Sequence, residues 1–216
     1  MSKVFKLTVL LLAFAVVAVS CGKKQDAPVE ETKITIENLR AAITGETNAS
    51  ADYKAFSERA AEEGFLNIAK MFAAASEAEA IHIRSHNAVL VGLGESAFNP
   101  TPETPVVGTT IENLQAALEG EEYEFTVMYP GFIADANAEG IPDAVRTFEW
   151  AMGAEKKHAK LYGFALEILQ TTGSDETIPS AWHVCPRCGD LFCGKMMEEL
   201  EKCSLCGADP STFLEF

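Results

Sequence analysis

The sequence predicts an all-α four-helix bundle with one long crossover, followed by a small four-cysteine metal-binding domain. Three observations predict this class: a helical segment that occurs twice, a long proline-containing connection in mid-chain, and two Cys-x-x-Cys motifs near the end. The chain has 216 residues and is 48% hydrophobic, a content typical of globular proteins. That length is enough for one domain of ordinary size and a small module.

The N-terminal residues 1–20 have the three-part layout of a secretory signal peptide. Lysines precede an apolar run from Leu7 to Val19, and Ser20 comes immediately before Cys21. The run is too short to cross about 30 Å of hydrocarbon as a helix. The surrounding AVSCGKK resembles a bacterial lipobox, in which the cysteine is lipidated and becomes the new N-terminus. An ordinary signal peptide cleaved nearby is the alternative.

The lipobox interpretation predicts where the protein resides. Residues 21–32 become a polar tether, and we expect an exported lipoprotein on the periplasmic or cell-surface face of a bacterium. Its contact with the membrane is then through the lipid alone. The formal net charge of −15 excludes nucleic acid as a partner, because phosphates require a basic surface. Part of this acidic excess has another use if carboxylates ligate metal ions.

A twelve-residue segment occurs twice in the chain. Thr35 to Glu46 reads TIENLRAAITGE, Thr110 to Glu121 reads TIENLQAALEGE, and nine of the twelve positions are identical. The pattern Glu-x-x-His also occurs twice, at 79–82 and 155–158, so the whole unit is duplicated. Apolar residues recur at helical spacing in both copies, and we expect Thr35 and Thr110 to be the N-caps.

Each unit contains two helical segments, so the chain has four. The second segments lie around 65–91 and 142–169 and are rich in Ala, Glu, Lys and Leu. Between the second and third helices, Gly92 to Thr109 contains three prolines and no helical period. Extended, this connection reaches about 60 Å, more than the roughly 38 Å of a bundle helix. One long crossover is the topology of ferritin-like bundles, and residues 33–170 are assigned to this bundle.

The duplicated motifs predict a metal site inside the bundle. Residues i and i+3 share a helix face, so each Glu-x-x-His can hold one ion. Two such motifs, with one glutamate from each partner helix, are the ligand set of a carboxylate-bridged di-iron bundle. A single Glu-x-x-His is also a common surface pattern, but two in register favour the metal site. The second unit has Glu124 where the first has Ala49. Because Glu121 and Glu124 are three residues apart, Glu124 is predicted to be a seventh ligand on one side of the site. The predicted ligands are Glu46, Glu79, His82, Glu121, Glu124, Glu155 and His158.

The composition changes after a short polar linker at 171–180. Residues 181–216 contain two Cys-x-x-Cys-Gly motifs, a pattern that predicts a tetrahedral four-sulfur site for zinc or a single iron. Disulfides are the alternative in an exported protein. Cys193 is left over, is predicted not to be a ligand, and indicates a reducing or anaerobic setting. The four predicted ligands are Cys185, Cys188, Cys203 and Cys206.

A di-iron bundle followed by a four-cysteine domain resembles the rubrerythrin family, over nearly all of residues 33–216. The resemblance is carried by GET at 45–47, EAIH at 79–82, GEEYEFTVMYPGF at 120–132, EKKH at 155–158 and both cysteine motifs. Two features depart from the family pattern. The two cysteine motifs are further apart than is usual, and Gly189-Asp190 stands where Gly-Tyr is usual. Both departures leave zinc open for the four-cysteine site.

The resemblance implies roles for individual residues. The seven predicted ligands would bind two iron ions, and the four cysteines would bind a rubredoxin-type iron. One iron would exchange His82 for Glu124 on oxidation. Tyr53 and Tyr129 would hydrogen-bond to ligand carboxylates, with amphipathic packing as the alternative. A homodimer would bring the cysteine-bound iron of one subunit near the di-iron site of the other.

The resemblance also implies a function. The chain would be a non-haem di-iron peroxidase that reduces hydrogen peroxide to water and protects against oxidative stress. Electrons would come from an external donor, rubredoxin or a reductase, through the rubredoxin-like iron. The alternatives are a ferroxidase or iron-storage protein, a di-iron oxidase acting on dioxygen or an organic substrate, and a non-enzymatic binding protein with a structural zinc ribbon.

We expect the mature protein to begin at a lipidated Cys21. Mass spectrometry of the protein isolated from bacterial membranes should give an N-terminal peptide that starts at Cys21 and carries acyl chains. The Cys21→Ser variant should lose this modification because it lacks the thiol to which the lipid is attached. A mature terminus at another residue, without acyl chains, would contradict the lipobox interpretation and favour an ordinary signal peptide.

Overall fold

Two long helical hairpins form the body of the molecule. The computed structural model describes residues 33–216; the predicted signal peptide, Cys21 and the polar tether lie outside the described residues. None of the helices within 33–216 is both long and apolar enough to cross a membrane. The first hairpin consists of α1 (Lys33–Glu62) and α2 (Leu66–Gly92). The second consists of α3 (Thr110–Tyr123), a π-helical segment (Glu124–Met128), α4 (Tyr129–Ala138) and α5 (Pro142–Thr172).

The third bundle helix is therefore α3, the π-helical segment and α4 in continuous succession. Residues 93–109 connect the hairpins and contain no helix or strand. The four-helix bundle with one long crossover is confirmed. The start of α3 corrects the predicted cap by one residue, because the Thr109 hydroxyl accepts from the Glu112 amide at 3.3 Å and the Glu112 carboxylate accepts from the Thr109 amide at 2.7 Å. Thr35 likewise lies inside α1 and is not its cap.

The π-helical segment explains why the repeat offset changes along the chain. Glu46 and Glu121 are 75 positions apart (121 − 46), whereas Tyr53 and Tyr129 are 76 apart (129 − 53). A π-helical turn accommodates one extra residue within a helix, and the Tyr129 amide donates to the Glu124 carbonyl, five residues earlier. The inserted residue therefore lies between Glu121 and Tyr129, and the helix continues beyond it without a break.

Each hairpin caps the first helix of the other. Both hairpin turns contain a glycine in the left-handed region, Gly64 at φ 89° and Gly140 at φ 70°. The glutamate before each glycine reaches across to the opposite hairpin. Glu63 accepts from the Thr110 amide at 3.0 Å, and Glu139 accepts from the Thr35 amide at 2.9 Å. These carboxylates lie at helix N-termini, where negative charge is favourable.

The apolar core of the bundle is divided into two clusters. The first includes Phe56, Phe72 and Leu114, and the second includes Leu39, Leu90 and Phe148. On each of the four helices, the predicted metal ligands occupy positions between members of the two clusters. The buried polar layer therefore has close-packed apolar side chains on either side of it.

The C-terminal domain is a small three-stranded antiparallel sheet with the four cysteines beside it. Its strand order is β2-β1-β3, with β1 in the centre. A short helix, α6, follows β2, and a 3₁₀ turn precedes β3. The bounds are β1 Trp182–Val184, β2 Leu191–Cys193, α6 Gly194–Glu198, the 3₁₀ turn Pro210–Thr212 and β3 Leu214–Glu215.

The connection between bundle and C-terminal domain is anchored at α2. Helix α2 has no side-chain cap of its own, because Phe65 occupies the N-cap position. Asp175 supplies one, accepting from the Asn67 amide at 2.7 Å and the Ile68 amide at 3.2 Å. Ile178 and Trp182 are buried in the first apolar cluster. The C-terminal domain therefore shares a core with the bundle.

Candidate metal centres

Six of the seven predicted di-iron ligands meet in the bundle core. They come from four different helices: one glutamate from α1, a Glu-x-x-His pair from α2, one glutamate from α3 and a second pair from α5. No side chain among them is more than 2% exposed. These residues are Glu46, Glu79, His82, Glu121, Glu155 and His158.

The six side chains form two overlapping groups that share Glu79 and Glu155. His82 Nδ1 lies 2.8 Å from Glu79 Oε2 and 2.9 Å from Glu155 Oε1. His158 Nδ1 lies 2.8 Å from Glu155 Oε2 and 3.4 Å from Glu79 Oε1. Each of the two shared glutamates thus directs one oxygen towards each histidine, as a bridging carboxylate does. Glu46 completes the His82 group and Glu121 completes the His158 group.

The donor atoms of this cluster fit two cations. Both carboxylate oxygens of Glu79 and of Glu155 are buried without a hydrogen-bond partner, as is Nδ1 of each histidine. Buried polar atoms left without partners are costly, and a cation in each group would satisfy them. Glutamate oxygens and imidazole nitrogens are suitable ligands for iron. The residues present therefore match a di-iron centre in type, number and arrangement.

Without cations, the cluster retains protons. Burial raises the pKa of Glu46 to about 8, and burial together with Glu155 raises the pKa of Glu121 well above its usual range. Burial alone would lower the pKa of His158, but the neighbouring Glu155 raises it. Because these groups must lose protons to ligate a metal, cation binding and proton release are coupled at this site.

The two predicted tyrosines lie against the cluster. Tyr53 donates its hydroxyl proton to Glu121 Oε1 at 2.7 Å, and Tyr129 donates to Glu46 Oε1. Each tyrosine therefore contacts the ligand of the opposite repeat unit. In both glutamates the other oxygen, Oε2, is buried and has no hydrogen-bond partner. The tyrosines thus hold one oxygen of each carboxylate and leave the second available.

Glu124 lies beside the cluster and is not part of either group. Burial, reinforced by the charge of Glu46, raises its pKa well above the usual range. It lines a small cavity of about 210 Å³ together with Tyr53 and Gly45. A Cβ at Gly45 would come within 3.7 Å of Glu124 Oε1. In this arrangement His82, and not Glu124, is directed at the shared carboxylates.

The four predicted cysteines form the second centre. The Cys185 and Cys206 sulfurs are 3.4 Å apart, and those of Cys188 and Cys203 are 3.5 Å apart. Backbone amides of Arg187 and Cys188 donate to Cys185, and those of Leu205 and Cys206 donate to Cys203. All five cysteines within 33–216 are free thiols, so the disulfide alternative does not apply there. Cys193 lies outside the four-sulfur group.

The two centres are in direct contact within one chain. His82 Nε2 lies 3.0 Å from the Cys188 carbonyl oxygen. A carbonyl can only accept, so Nε2 carries the proton and Nδ1 is left as the ligand atom. Nearby, Lys157 of α5 pairs with Asp190, which is fully buried and lies 3.9 Å from the Cys203 sulfur. Within this single chain the C-terminal domain contacts its own bundle. The approach between two subunits that the resemblance implied stays a prediction.

A family model described as Rubrerythrin matches residues 37–165, more than half of the chain. The chain belongs to the rubrerythrin family. Family membership gives a di-iron site and a rubredoxin-like iron site, and both clusters are present here. The cofactors are therefore two iron ions in the carboxylate cluster and one in the four-cysteine site. The chain is an oxidoreductase of the rubrerythrin type.

The relatives match both parts of the chain. Nigerythrin of Nitratidesulfovibrio vulgaris is 38% identical over 182 residues, which cover 84% of this chain and 86% of the relative. Rubrerythrin-2 of Clostridium acetobutylicum is 33% identical over 186 residues, covering 85% of this chain and 97% of the relative. The solved structure of fully reduced, all-ferrous nigerythrin has a TM-score of 0.76, with 84% of this chain and 86% of that one covered.

Three residues that surround the centres were not predicted from the sequence. His86 lies four residues after His82 and contacts Tyr129, and the helical spacing i, i+4 was the available signal. Lys157 lies inside the EKKH motif, and Asp190 stands where the family pattern has tyrosine, but neither feature indicates that the two residues pair. Their pairing depends on how the C-terminal domain packs on α5, which the sequence does not encode locally.

The contact at His82 can be tested with two equivalent glycines. Gly189 and Gly207 end the two cysteine motifs with φ of 75° and 72°. A Cβ at Gly189 would overlap the His82 ring and approach the Ala78 carbonyl at 3.0 Å, whereas a Cβ at Gly207 meets nothing within 4 Å. Alanine is strained at positive φ in both variants, so Gly207→Ala is the control for the backbone effect. We expect Gly189→Ala to lower the free energy of unfolding by about 1–3 kcal/mol more than Gly207→Ala, measured by urea denaturation. Equal losses would contradict the docking contact.

Removal of metal should make stability fall as the pH rises. The Glu46 carboxyl has a pKa of 4.5 in its ordinary state and about 8 in the folded protein, so the folded state binds more protons between these values. The stability associated with that proton is present below 4.5 and is lost as the pH rises to about 8. The raised pKa of His158 acts in the same direction. The pKa of His86 is lowered from 6.5 to about 3 by burial, which acts in the opposite direction below 6.5. Denaturation in the presence of a chelator is therefore compared between pH 6.5 and 8, and a metal-free protein that gains stability over that range would contradict the prediction.

Proposed function

We propose that the chain is a peroxidase that reduces hydrogen peroxide to water, with two electrons and two protons consumed for each peroxide. The observation that carries the proposal is the contact between the Cys188 carbonyl and His82. It joins a four-sulfur centre, which suits one-electron transfer, directly to a ligand of the di-iron cluster. A ferroxidase or iron-storage bundle has no need of such a connection.

When bound, the two irons of the cluster supply electrons and Lewis acidity for cleavage of the oxygen–oxygen bond. Glu79 and Glu155 would hold both irons, because each directs one oxygen towards His82 and the other towards His158. Tyr53 and Tyr129 fix the orientation of the outer carboxylates by donating to one oxygen of each. The two apolar clusters on either side of the polar layer limit access of water, which strengthens the electrostatic interactions inside.

His82 and Glu124 have distinct parts in this proposal. The His82 ring is fixed by two interactions, with Nε2 donating to the C-terminal domain and Nδ1 directed into the cluster. Glu124 stands beside the cluster with a raised pKa and belongs to the π-helical segment. We propose that Glu124 is the alternative ligand when His82 is displaced on oxidation. Wide π-helical turns are frequent at functional sites, which supports a local adjustment there.

The proposed function requires an electron donor outside the chain. The electron donor would be an external rubredoxin or reductase that docks near the four-cysteine site. Cys206 is the only one of the four ligands that is not buried, which favours electron entry at that edge. We also propose that the protein acts as a homodimer and is exported and anchored by a lipid at Cys21, and these proposals rest on the family resemblance and the lipobox.

An anaerobic stopped-flow experiment tests the peroxidase proposal. The iron-loaded, fully reduced protein is mixed with hydrogen peroxide and, separately, with dioxygen, while ferric-thiolate absorbance is followed. We expect oxidation by peroxide to be much faster than by dioxygen. An equal or faster reaction with dioxygen would point to an oxidase or ferroxidase. Absence of any thiolate absorbance would show that the cysteines hold zinc and that the proposed electron path is wrong.

A variant without the di-iron centre is the control for that experiment. Glu79→Gln removes a shared carboxylate, so iron binding in the bundle should be lost while the four-cysteine iron remains. We expect peroxide to oxidise the thiolate-bound iron of Glu79→Gln far more slowly than that of the wild type. Equal rates would mean that peroxide reacts at the four-sulfur site directly.

A further inference from the structure

We propose that Thr147, His86 and Tyr129 form a proton path from a surface cavity to the di-iron ligand Glu46. The inference rests on the proposed peroxidase function and deepens it, because peroxide reduction consumes two protons at a buried site. The cluster itself is at most 2% exposed, so protons must reach it through the protein.

The path is a continuous series of buried hydrogen bonds. Thr147 Oγ1 lies 3.1 Å from His86 Nδ1, His86 Nε2 lies 3.2 Å from the Tyr129 hydroxyl, and that hydroxyl contacts Glu46 Oε1. His86, Tyr129 and Glu46 are fully buried and Thr147 is 5% exposed. The residues come from α1, α2, α4 and α5. The path therefore exists only in the assembled bundle.

The chemistry of the partners fixes the direction of each hydrogen bond. Tyr129 donates its proton to Glu46, so its oxygen can accept one from His86 Nε2. His86 then carries its proton on Nε2, and its unprotonated Nδ1 accepts from the Thr147 hydroxyl. Burial, assisted by the nearby His82, lowers the pKa of His86 to about 3, so the ring is neutral and can both accept and donate. Every donor thus points from Thr147 towards Glu46.

The outer end of the path meets solvent. Thr147 lines a cavity of about 470 Å³ that is open at the surface, with Asp143, Arg146, Trp150 and Arg187 among its other lining residues. Thr147 is the residue of the path that borders this cavity, so in the proposal water enters the path there. A volume of this size is far above the roughly 30 Å³ that one water occupies in the liquid.

The other repeat unit lacks an equivalent path. The position that matches His86 is Tyr162 (86 + 76), and the position that matches Thr147 is Met71 (147 − 76). The Tyr162 hydroxyl is buried without a hydrogen-bond partner, and a methionine side chain has no proton to give. Tyr53 nevertheless holds Glu121 at 2.7 Å. Orientation of a ligand carboxylate therefore requires only the tyrosine, and the extension through His86 and Thr147 serves another purpose.

One passage along the path moves one proton and no electrons. Thr147 gives its hydroxyl proton to His86 Nδ1 and takes a replacement from cavity water, while the proton on His86 Nε2 goes to the Tyr129 oxygen. The original Tyr129 proton goes to Glu46 Oε1, from which it can pass to an oxygen atom of peroxide. The path thus delivers one of the two protons that the reduction of one peroxide consumes.

Variants that keep or remove individual protons test this path. Thr147→Val preserves the shape but removes the hydroxyl, whereas Thr147→Ser keeps it. His86→Gln can still donate to Tyr129 and accept from Thr147, but an amide cannot relay a proton between its two ends. Tyr162→Phe removes the unpartnered hydroxyl of the other repeat unit and is the matched control.

The rate to measure is that of oxidation of the reduced, iron-loaded protein by hydrogen peroxide, in water and in deuterium oxide. General acid–base groups contribute factors of about 100 to 10,000; because water can partly substitute, we expect Thr147→Val and His86→Gln to slow the reaction by about tenfold or more. Both should also change the solvent isotope effect. Thr147→Ser, which restores the hydroxyl, should recover most of the rate lost in Thr147→Val, and Tyr162→Phe should keep the wild-type rate. Wild-type rates and isotope effects in both Thr147→Val and His86→Gln would overturn the proposal.

A second readout does not depend on activity. In the zinc-loaded protein, which is diamagnetic, nitrogen-15 NMR of the histidine side chains should show His86 as a neutral ring with its proton on Nε2. The opposite tautomer would reverse the donor direction and overturn the proposal. Iron content and the unfolding midpoint are measured for each variant. If Thr147→Val binds less iron, the comparison of His86→Gln with Tyr162→Phe decides the outcome.

Discussion

Neutralisation of four buried carboxylates by two bound cations is the interaction on which the rest of this structure depends. Glu46, Glu79, Glu121 and Glu155 come from four helices and meet where no water screens them. Such a layer is unfavourable unless positive charge is present. Bound cations would therefore hold the four helices in fixed register with one another. The apolar clusters on either side can then pack at high density against helices that are already in register.

The ligands could be predicted from the sequence because their signals are local. Glu79 and His82 share a helix face by spacing alone, and duplication of the pattern distinguishes it from a chance surface arrangement. Each cysteine motif forms a tight turn by itself, with Gly189 or Gly207 at positive φ, so the motif could be recognised from a few consecutive residues. Contacts between side chains on different helices could not be predicted, because they depend on how the helices pack. The link from Thr147 to His86 joins residues 61 positions apart, and neither residue belongs to a recognisable motif.

Duplication produced two units that are no longer equivalent. The first unit supplies both Glu46, where the hydrogen-bonded series of side chains ends, and His82, which contacts the C-terminal domain. These two residues belong to the same group of four ligands. On the proposed function, electrons and protons arrive at one metal position through different residues. The second unit instead contributes the inserted residue and Glu124. Each unit has therefore specialised while the shared carboxylates preserve the original symmetry.

The reciprocal caps between the hairpins have a consequence for folding. Because Glu63 closes the start of α3 and Glu139 closes the start of α1, neither hairpin is complete by itself. An isolated hairpin would lose a carboxylate partner at the start of its first helix and would expose half of a charged layer. The bundle is therefore expected to unfold in one cooperative step rather than hairpin by hairpin. A single ancestral repeat could satisfy the same contacts only by pairing with a second copy. In the present chain the two hairpins therefore meet as two copies of one repeat would meet in a two-chain assembly.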